Sequence, residues 1–244
     1  MIGTDIWIST LAPLLACTVA LWAVSLLLKN ASIIDIFWGL GFVASFWLTY
    51  IKTSRNNNIT TILLGVLVTV WGLRLAIHIL LRSIGKGEDK RYAQFRANNA
   101  PHWWWSSLFK VFLLQGLLIW LISAPISIMQ VSPTPMSLIT TIGLLVWIIG
   151  FVFEAGSDWQ LMRFKSDPTN NDKLLTTGFW EITRHPNYFG DATQWWAFWL
   201  ISVTQATWWT IFSPILITIL LLNVSGVPIT EKSMCRDKPD YKYY

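Results

Sequence analysis

The sequence contains few charged residues. Only 13% of its 244 residues are Asp, Glu, Lys or Arg, whereas 54% are hydrophobic. A soluble domain carries about a quarter charged residues, so this composition excludes an ordinary soluble protein and indicates one embedded in a membrane. Cysteine is also scarce. Cys17 and Cys235 lie at opposite ends of the chain, which excludes a disulfide framework and a clustered zinc site.

The common nucleotide-binding motifs are missing as well. No GxGxxG follows a strand pattern, so a nucleotide would not be held by a Rossmann unit. The short run Gly85, Lys86 and Gly87 falls short of a P-loop, which needs GxxxxGK followed by Ser or Thr. A nucleotide therefore requires a different kind of site.

Long apolar segments are what the chain does have. Seven of them approach the roughly 20 residues that a helix needs to span a bilayer. The first follows Asp5 rather than a basic leader, which predicts a retained helix and not a signal peptide. We predict an all-α polytopic membrane protein with about seven transmembrane helices in a single domain, residues 1–244. The predicted segments are residues 6–28, 33–51, 59–81, 108–130, 137–160, 188–204 and 207–224.

Lys and Arg are distributed unevenly among the links between these segments. Fifteen of the 18 fall on one side, Lys52 and Arg55 fall on the other, and Arg74 lies within a segment. The positive-inside rule then predicts an N-terminus outside and a C-terminus in the cytoplasm. The expected location is the bacterial inner membrane, or the endoplasmic reticulum in a eukaryote.

Ionisable residues occur inside several predicted spans. Each costs at least about 2.5 kcal/mol unless it is paired or hydrated, so each is a candidate for function. Under the predicted orientation they all lie toward the cytoplasmic side, which predicts a polar cavity open to the cytoplasm. The alternative is a purely structural network. These residues are Asp35, Arg74, His78, Glu154, Asp158 and Asp191.

The stretch from Gly178 to Trp196 concentrates polar residues directly before an apolar run. Pro186 disfavours helical angles at His185, so Arg184 and His185 are predicted to end a loop and Asn187 to begin a helix. The unpartnered amides of a helix start, with cations beside them, form an anion site. The surrounding arginines suit phosphate oxygens. A basic loop that only fixes topology, or one that binds lipid headgroups, is the alternative.

Four stretches resemble one known family. RHPNYFGD at residues 184–191 follows GFW at 178–180 and is similar to the signature of membrane-embedded steroid 5-alpha-reductases and sterol reductases, in particular the DUF1295 branch. GKGEDKRY at 85–92, IDIFWGLGF at 34–42 and the closing sequence with Pro239, Tyr241 and Tyr244 also resemble the DUF1295 pattern. The RHPNYxG core is shared with isoprenylcysteine carboxyl methyltransferases and phospholipid methyltransferases, so the core alone does not choose the reaction.

The resemblance implies a seven-helix reductase fold that holds NADPH in a cytoplasmic pocket and takes a hydrophobic small molecule from the bilayer. By position, Glu154 and Asp158 match residues near the nicotinamide nucleotide, and Arg163 matches a phosphate contact. The other residues that we predict to bind the cofactor are Lys165, Trp180, Arg184, His185, Asn187, Asp191 and Arg236.

We predict NADPH-dependent reduction of a carbon–carbon double bond in a steroid- or enone-type lipid. Asp35, Tyr188 and Arg74 are the predicted catalytic residues, with Asp35 or Tyr188 as the acid. One feature departs from the steroid reductases, which have a Tyr three residues before an Arg in their third helix, whereas Trp71 precedes Arg74 here.

Two alternatives are kept. One is an S-adenosylmethionine-dependent membrane methyltransferase. Its relatives usually carry a Glu-Glu pair after the signature, where this chain has only Glu231. The other is a non-catalytic membrane protein that binds lipids. Membrane lipids are expected partners in each case, and neither nucleic acid nor a metal is expected.

Overall fold

The computed structural model describes residues 3–53, 57–133 and 135–244, and every regular element within these ranges is helical. Arg55, which the sequence assigned to the outer side, lies outside the described residues. The chain folds as two compact units, Met1–Pro135 and Met136–Tyr244. The predicted all-α class is confirmed, while the single domain stays a prediction.

Six helices of the described chain are long and apolar enough to cross a membrane, which confirms the polytopic membrane architecture. The predicted segment 188–204 is also helical, but this helix, Pro186–Ser202, has only 17 residues. The orientation of the termini stays a prediction. The six spans are Gly3–Leu28, Ile33–Lys52, Ile59–Ser83, Trp103–Ile122, Leu138–Ser166 and Trp208–Asp237.

The fourth span differs from its predicted bounds of 108–130. It begins at Trp103 because the tryptophans before residue 108 join the helix, and it ends at Ile122. Pro125 cannot continue a helix hydrogen-bond ladder, and it lies at the start of a separate short helix, Ala124–Ile128.

The described part of the first unit contains eight α-helices, and side chains cap two of them, Ile59–Ser83 and Lys90–Asn98. Asn58 accepts a hydrogen bond from the amide of Thr60 at 2.9 Å, and Asp89 accepts one from the amide of Arg91 at 2.9 Å. Such caps pair amides that a helix start leaves without partners. The helices are α1 (Gly3–Ser9), α2 (Leu11–Leu28), α3 (Ile33–Lys52), α4 (Ile59–Ser83), α5 (Lys90–Asn98), α6 (Trp103–Ser107), α7 (Leu114–Ile122) and α8 (Ala124–Ile128), with a π-helical turn Leu108–Leu113 and a 3₁₀ turn Met129–Val131.

The second unit contains five α-helices and carries the signature stretch. The helices are α9 (Leu138–Ser166), α10 (Phe179–Ile182), α11 (Pro186–Ser202), α12 (Phe212–Ile219) and α13 (Val227–Asp237). A π-helical turn, Leu220–Val224, follows α12, and 3₁₀ turns lie at Pro168–Asn170, Trp208–Ile211 and Pro239–Tyr243.

Helices α9 and α11 run antiparallel at unusually close range. A Cβ built on Gly190 would lie 2.4 Å from the amide nitrogen of Glu154 and 2.6 Å from the carbonyl oxygen of Gly150. A Cβ on Gly150 would in turn lie 2.8 Å from the carbonyl oxygen of Gly190. Small residues let membrane helices approach in this way, so that packing between their backbones holds them together. Asp158 of α9 consequently faces the first turn of α11.

We expect Gly190→Ala to lower the free energy of unfolding, by about 1–3 kcal/mol, because the added methyl group has to push the two backbones apart. Thermal unfolding of the purified protein in detergent measures the change. Gly87→Ala is the matched control, since nothing lies within 4 Å of a Cβ at that position. Equal melting temperatures for the two variants would contradict the close packing of α9 against α11.

Candidate functional site

The loop that carries the signature is anchored to α9. Gly178 has a φ of 65°, a left-handed conformation that glycine adopts without strain. The amide of Phe179 then donates to Gln160 Oε1 at 3.1 Å, and the indole N–H of Trp180 donates to the carbonyl oxygen of Ser157 at 3.1 Å. These bonds hold Trp180, a predicted cofactor residue, against the C-terminal half of α9. The sequence predicts that this half is directed toward the cytoplasm.

The helix start at Pro186 agrees with the sequence prediction. Pro186 occupies the first turn of α11, where its missing N–H costs nothing. The side chain of Asn187 accepts a hydrogen bond from the amide of Tyr188 at 3.0 Å. Arg184 and His185 precede the helix, as expected from the proline.

Glu154 and Asp158 are buried between α9 and α11, with 3% and 7% of their surfaces exposed. Asn187 Nδ2 donates to Asp158 Oδ1 at 3.2 Å, and the side-chain amide of Gln194 donates to Glu154 Oε2. The structure thus brings three of the predicted cofactor residues together, Glu154, Asp158 and Asn187. Asp191 lies one turn beyond Asn187 and is half-buried. Gln194 was not predicted, although its i+7 spacing from Asn187 places both on one helix face.

Glu231 of α13 joins the C-terminal helix to the signature. His185 Nε2 lies 2.8 Å from Glu231 Oε1, and Arg184 donates to Glu231 Oε2 at 3.3 Å. The hydroxyl of Tyr241 donates to Glu231 Oε1 at 3.1 Å, and the Arg184 guanidinium lies 5.3 Å from the centre of the Tyr241 ring. Burial and the hydrogen bond to Glu231 both raise the pKa of Tyr241.

Sequence reasoning missed Glu231 and Tyr241 as parts of this site. In the sequence, Glu231 stands only where methyltransferases have a Glu-Glu pair, and Tyr241 is only part of the family resemblance. One signal was available, because Glu231 is an acid within a tail whose other charges are mostly cations.

Tyr188, a predicted catalytic residue, lies on a different face of α11 from Asn187. Its hydroxyl is 3.0 Å from the hydroxyl of Thr230, and its ring stacks on that of His185 with centroids 5.5 Å apart. Tyr188 and His185 are therefore neighbours, and both contact α13.

The remaining predicted cations of this unit lie at the surface. The guanidinium of Arg163 lies 5.5 Å from the centre of the Trp159 ring, and no acidic side chain in the described part of the chain forms an ion pair with it. Lys165 is exposed. Arg236 is 70% exposed and pairs with its neighbour Asp237 at 2.8 Å. The structure does not join Arg236 to the Glu231 cluster, so its cofactor role stays a prediction.

In the first unit, Asp35 is held by the GKGEDKRY loop. Arg91 donates to Asp35 Oδ2 at 2.8 Å, and the hydroxyl of Tyr92 donates to Asp35 Oδ1 at 2.5 Å. Gln115 Nε2 donates to the Tyr92 hydroxyl at 3.0 Å. The structural network that the sequence leaves as the alternative includes Arg74 and His78, but the hydrogen bonds of Asp35 go to Arg91 and Tyr92. Arg74 lies in α4 and is half-buried.

Two further contacts fasten the same loop to the segment before α3. Glu88 accepts hydrogen bonds from the amide of Ala31 at 2.8 Å and from Arg96 at 2.9 Å, while the amide of Asp89 donates to Ser32 Oγ at 2.7 Å. Burial alone would raise the pKa of Glu88, but the hydrogen bonds from Arg96 and from the amide of Ala31 hold this pKa below its ordinary value. Burial and the negative charge of Asp35 raise the pKa of Tyr92, which keeps that phenol protonated.

The described residues include no group of three or more His, Cys, Asp or Glu side chains placed to hold a metal ion. The single polar cavity that the sequence predicts for these acids stays a prediction.

Comparison with known proteins identifies the family. The family model described as a protein of unknown function, DUF1295, matches residues 21–244. The chain therefore belongs to the DUF1295 family.

Among curated proteins, an uncharacterised protein of Schizosaccharomyces pombe is 26% identical over 259 residues, covering 92% of this chain and 73% of the relative. The delta(14)-sterol reductase of the same yeast is 31% identical over 106 residues, and that of Gibberella zeae is 31% identical over 86 residues. These matches cover 36% and 30% of this chain, and they span 25% and 17% of the two reductases. No solved structure matches.

We expect Asp35→Asn to lower the free energy of unfolding by about 1–3 kcal/mol, because Arg91 loses one of its two charged partners and keeps only Asp89. Tyr92→Phe removes one hydrogen bond to the same carboxylate and should have a smaller effect in the same direction. Thermal unfolding measures both, with Asp172→Asn, at an exposed position, as the control. An unchanged melting temperature for Asp35→Asn would contradict the role of Asp35 in holding the loop. It would instead favour the predicted role of Asp35 as the catalytic acid.

Proposed function

We propose that the protein is a membrane reductase that uses NADPH to reduce a carbon–carbon double bond in a lipid-like substrate. The observation that carries the proposal is the pair of buried acids in α9, Glu154 and Asp158, held by amide side chains of the signature helix α11. Membership of the DUF1295 family and the partial likeness to two delta(14)-sterol reductases support it.

The cationic groups of the second unit suit the phosphates of a dinucleotide. Arg163 has an exposed guanidinium without an acidic partner among the described residues, and Arg184 is 37% exposed beside the start of α11. Guanidinium groups match phosphate oxygens, and a helix start adds favourable amides. Arg163, Lys165 and Arg184 would hold the phosphates, with Trp180 fixed nearby by its bond to α9.

The buried polar groups suit the nicotinamide end. Asn187 and Asp158 together offer amide and carboxylate groups at the edge of a closely packed helix pair, with Asp158 buried and Asn187 half-buried. NADPH supplies a hydride when it is bound, and the protein contributes orientation and a dry, charged setting. Such preorganised groups exert more electrostatic influence than they would in water.

A reduction of this kind also needs a proton, and Tyr188 is the better candidate to supply it. Both oxygens of Asp35 already accept hydrogen bonds, from Arg91 and Tyr92. Among the described residues the hydroxyl of Tyr188 has one hydrogen-bond partner, the hydroxyl of Thr230, and Tyr188 lines a cavity. A phenol so placed can donate to a substrate oxygen.

We expect the purified protein to bind NADPH more tightly than NADH, since the 2′-phosphate adds a charge for the arginines to contact. Arg163→Ala should weaken NADPH by about 1.5–3 kcal/mol, the value of a charge-assisted contact, and should weaken NADH less. Binding is measured by fluorescence of the reduced nicotinamide and by thermal shift.

Lys173→Ala is the matched control because it removes one exposed positive charge from the loop after α9. Equal affinities for NADPH and NADH would contradict a role of the arginines at the 2′-phosphate. Stabilisation by S-adenosylmethionine, without stabilisation by NADPH, would overturn the reductase in favour of a methyltransferase.

A further inference from the structure

The second unit contains a cavity of about 480 Å³ between α11 and the C-terminal helical segment. Its volume falls within the range of small-molecule sites. The cavity lies on the face of α11 that carries Tyr188, Ala192 and Trp196. The groups that hold Glu154 and Asp158 are Asn187 and Gln194, which project from a different face. Among the described residues, none that lines the cavity belongs to the two buried acid pairs, although Tyr188 directly follows Asn187 in α11.

The lining of the cavity is polar at one end and apolar elsewhere. His185 and Tyr188 form the polar end, whereas Trp196, Leu221 and Leu222 contribute apolar surface. None of the described residues that line it is Lys, Arg, Asp or Glu. A dinucleotide with three phosphate groups would find no cation there, but a neutral, mainly apolar molecule would leave no charge unpaired.

The polar groups inside the cavity are mostly engaged already. Thr193 and Thr218 donate to carbonyl oxygens of their own helices, at 2.7 Å in both cases. His185 Nε2 contacts Glu231 at 2.8 Å. The hydroxyl of Tyr188, with one hydroxyl partner in Thr230, retains capacity for a further hydrogen bond. Thr183, which also lines the cavity, accepts a hydrogen bond from the amide of His185 at 3.4 Å. Polar contacts for a ligand are thus concentrated at the end formed by Thr183, His185 and Tyr188.

The wall opposite α11 has an irregular backbone. The π-helical turn Leu220–Val224 presents Leu221 and Leu222 to the cavity, and the chain then turns at Gly226, where a Cβ would lie 2.4 Å from the carbonyl oxygen of Leu221. Turns of this type occur often at functional sites. Phe189 and Leu222 are 49% and 55% exposed, so the cavity opens between apolar side chains. An apolar molecule could enter there from a bilayer.

We propose that this cavity binds a neutral, lipid-like molecule with a single carbonyl or hydroxyl oxygen, which is hydrogen-bonded by Tyr188. In this arrangement the apolar body contacts Trp196, Leu221 and Leu222, and the oxygen lies at the His185 end. That this molecule is the substrate of the reductase rests on the proposed function, whereas its binding does not.

The test measures equilibrium binding of a tritiated sterol 4-en-3-one to the purified protein in detergent without nucleotide. The same sterol without its oxygen is the comparison ligand. Ala192→Trp should abolish saturable binding of both, because the indole fills the cavity. Val152→Trp, at an exposed position of α9, is the matched control and should bind as the wild type does.

Tyr188→Phe is the second variant, and it leaves the packing nearly unchanged. It should weaken the ketone by about two- to tenfold, the effect of one neutral hydrogen bond, and leave the deoxygenated sterol unaffected. Unaltered ketone binding in both Ala192→Trp and Tyr188→Phe would overturn the assignment. Equal weakening of the two sterols by Tyr188→Phe would also overturn it, since the oxygen would then not be what Tyr188 contacts.

NADPH binding, measured on the same samples, separates this assignment from the proposed reductase. If Ala192→Trp lost NADPH binding and kept sterol binding, the cavity would be the nucleotide site, and the assignment would be overturned. Sterol binding that follows the expected pattern, in a protein that binds no NADPH, would support the cavity as a lipid site and remove the reductase.

Discussion

The close contact between α9 and α11 is the constraint on which the second unit depends. Gly150 and Gly190 allow the two backbones to approach within the distance at which a single methyl group would collide. Within a bilayer the burial of apolar surface contributes little to helix association, because lipid tails are apolar too. Close packing and interhelical hydrogen bonds therefore hold such helices together. The contact also sets the register that brings Asp158 against Asn187 and Glu154 against Gln194.

In each unit, an arginine and a tyrosine together hold one acidic side chain. Asp35 is held by Arg91 and the hydroxyl of Tyr92, and Glu231 by Arg184 and the hydroxyl of Tyr241. In both places an arginine supplies charge and a tyrosine supplies a directed hydrogen bond. An ionisable residue in or near a membrane is costly without such partners. The two acids thereby fasten polar loop or tail segments to apolar helices.

Much of this could be predicted from local sequence. Pro186 predicts the start of α11, and the i, i+4 spacing of Glu154 and Asp158 predicts that both acids lie on one helix face. What could not be predicted was pairing over long distance. Asp35 and Arg91 are 56 positions apart, and His185 and Glu231 are 46 apart. Such pairs depend on how helices pack, which periodicity along one helix does not reveal. The fourth span was misplaced for a local reason, the proline at residue 125.

The central claim is that the signature helix serves a hydride transfer to carbon. The most direct measurement uses NADPH deuterated at C4 of the nicotinamide, purified protein in lipid nanodiscs and a mixture of lipid-like enones, with the products read by mass spectrometry. We predict that one enone gains three mass units on reduction, two from the deuterium on carbon and one from a water proton, only when active protein and nucleotide are both present. Reduced product without deuterium on carbon, or no enone reduced while the protein still binds NADPH, would contradict it.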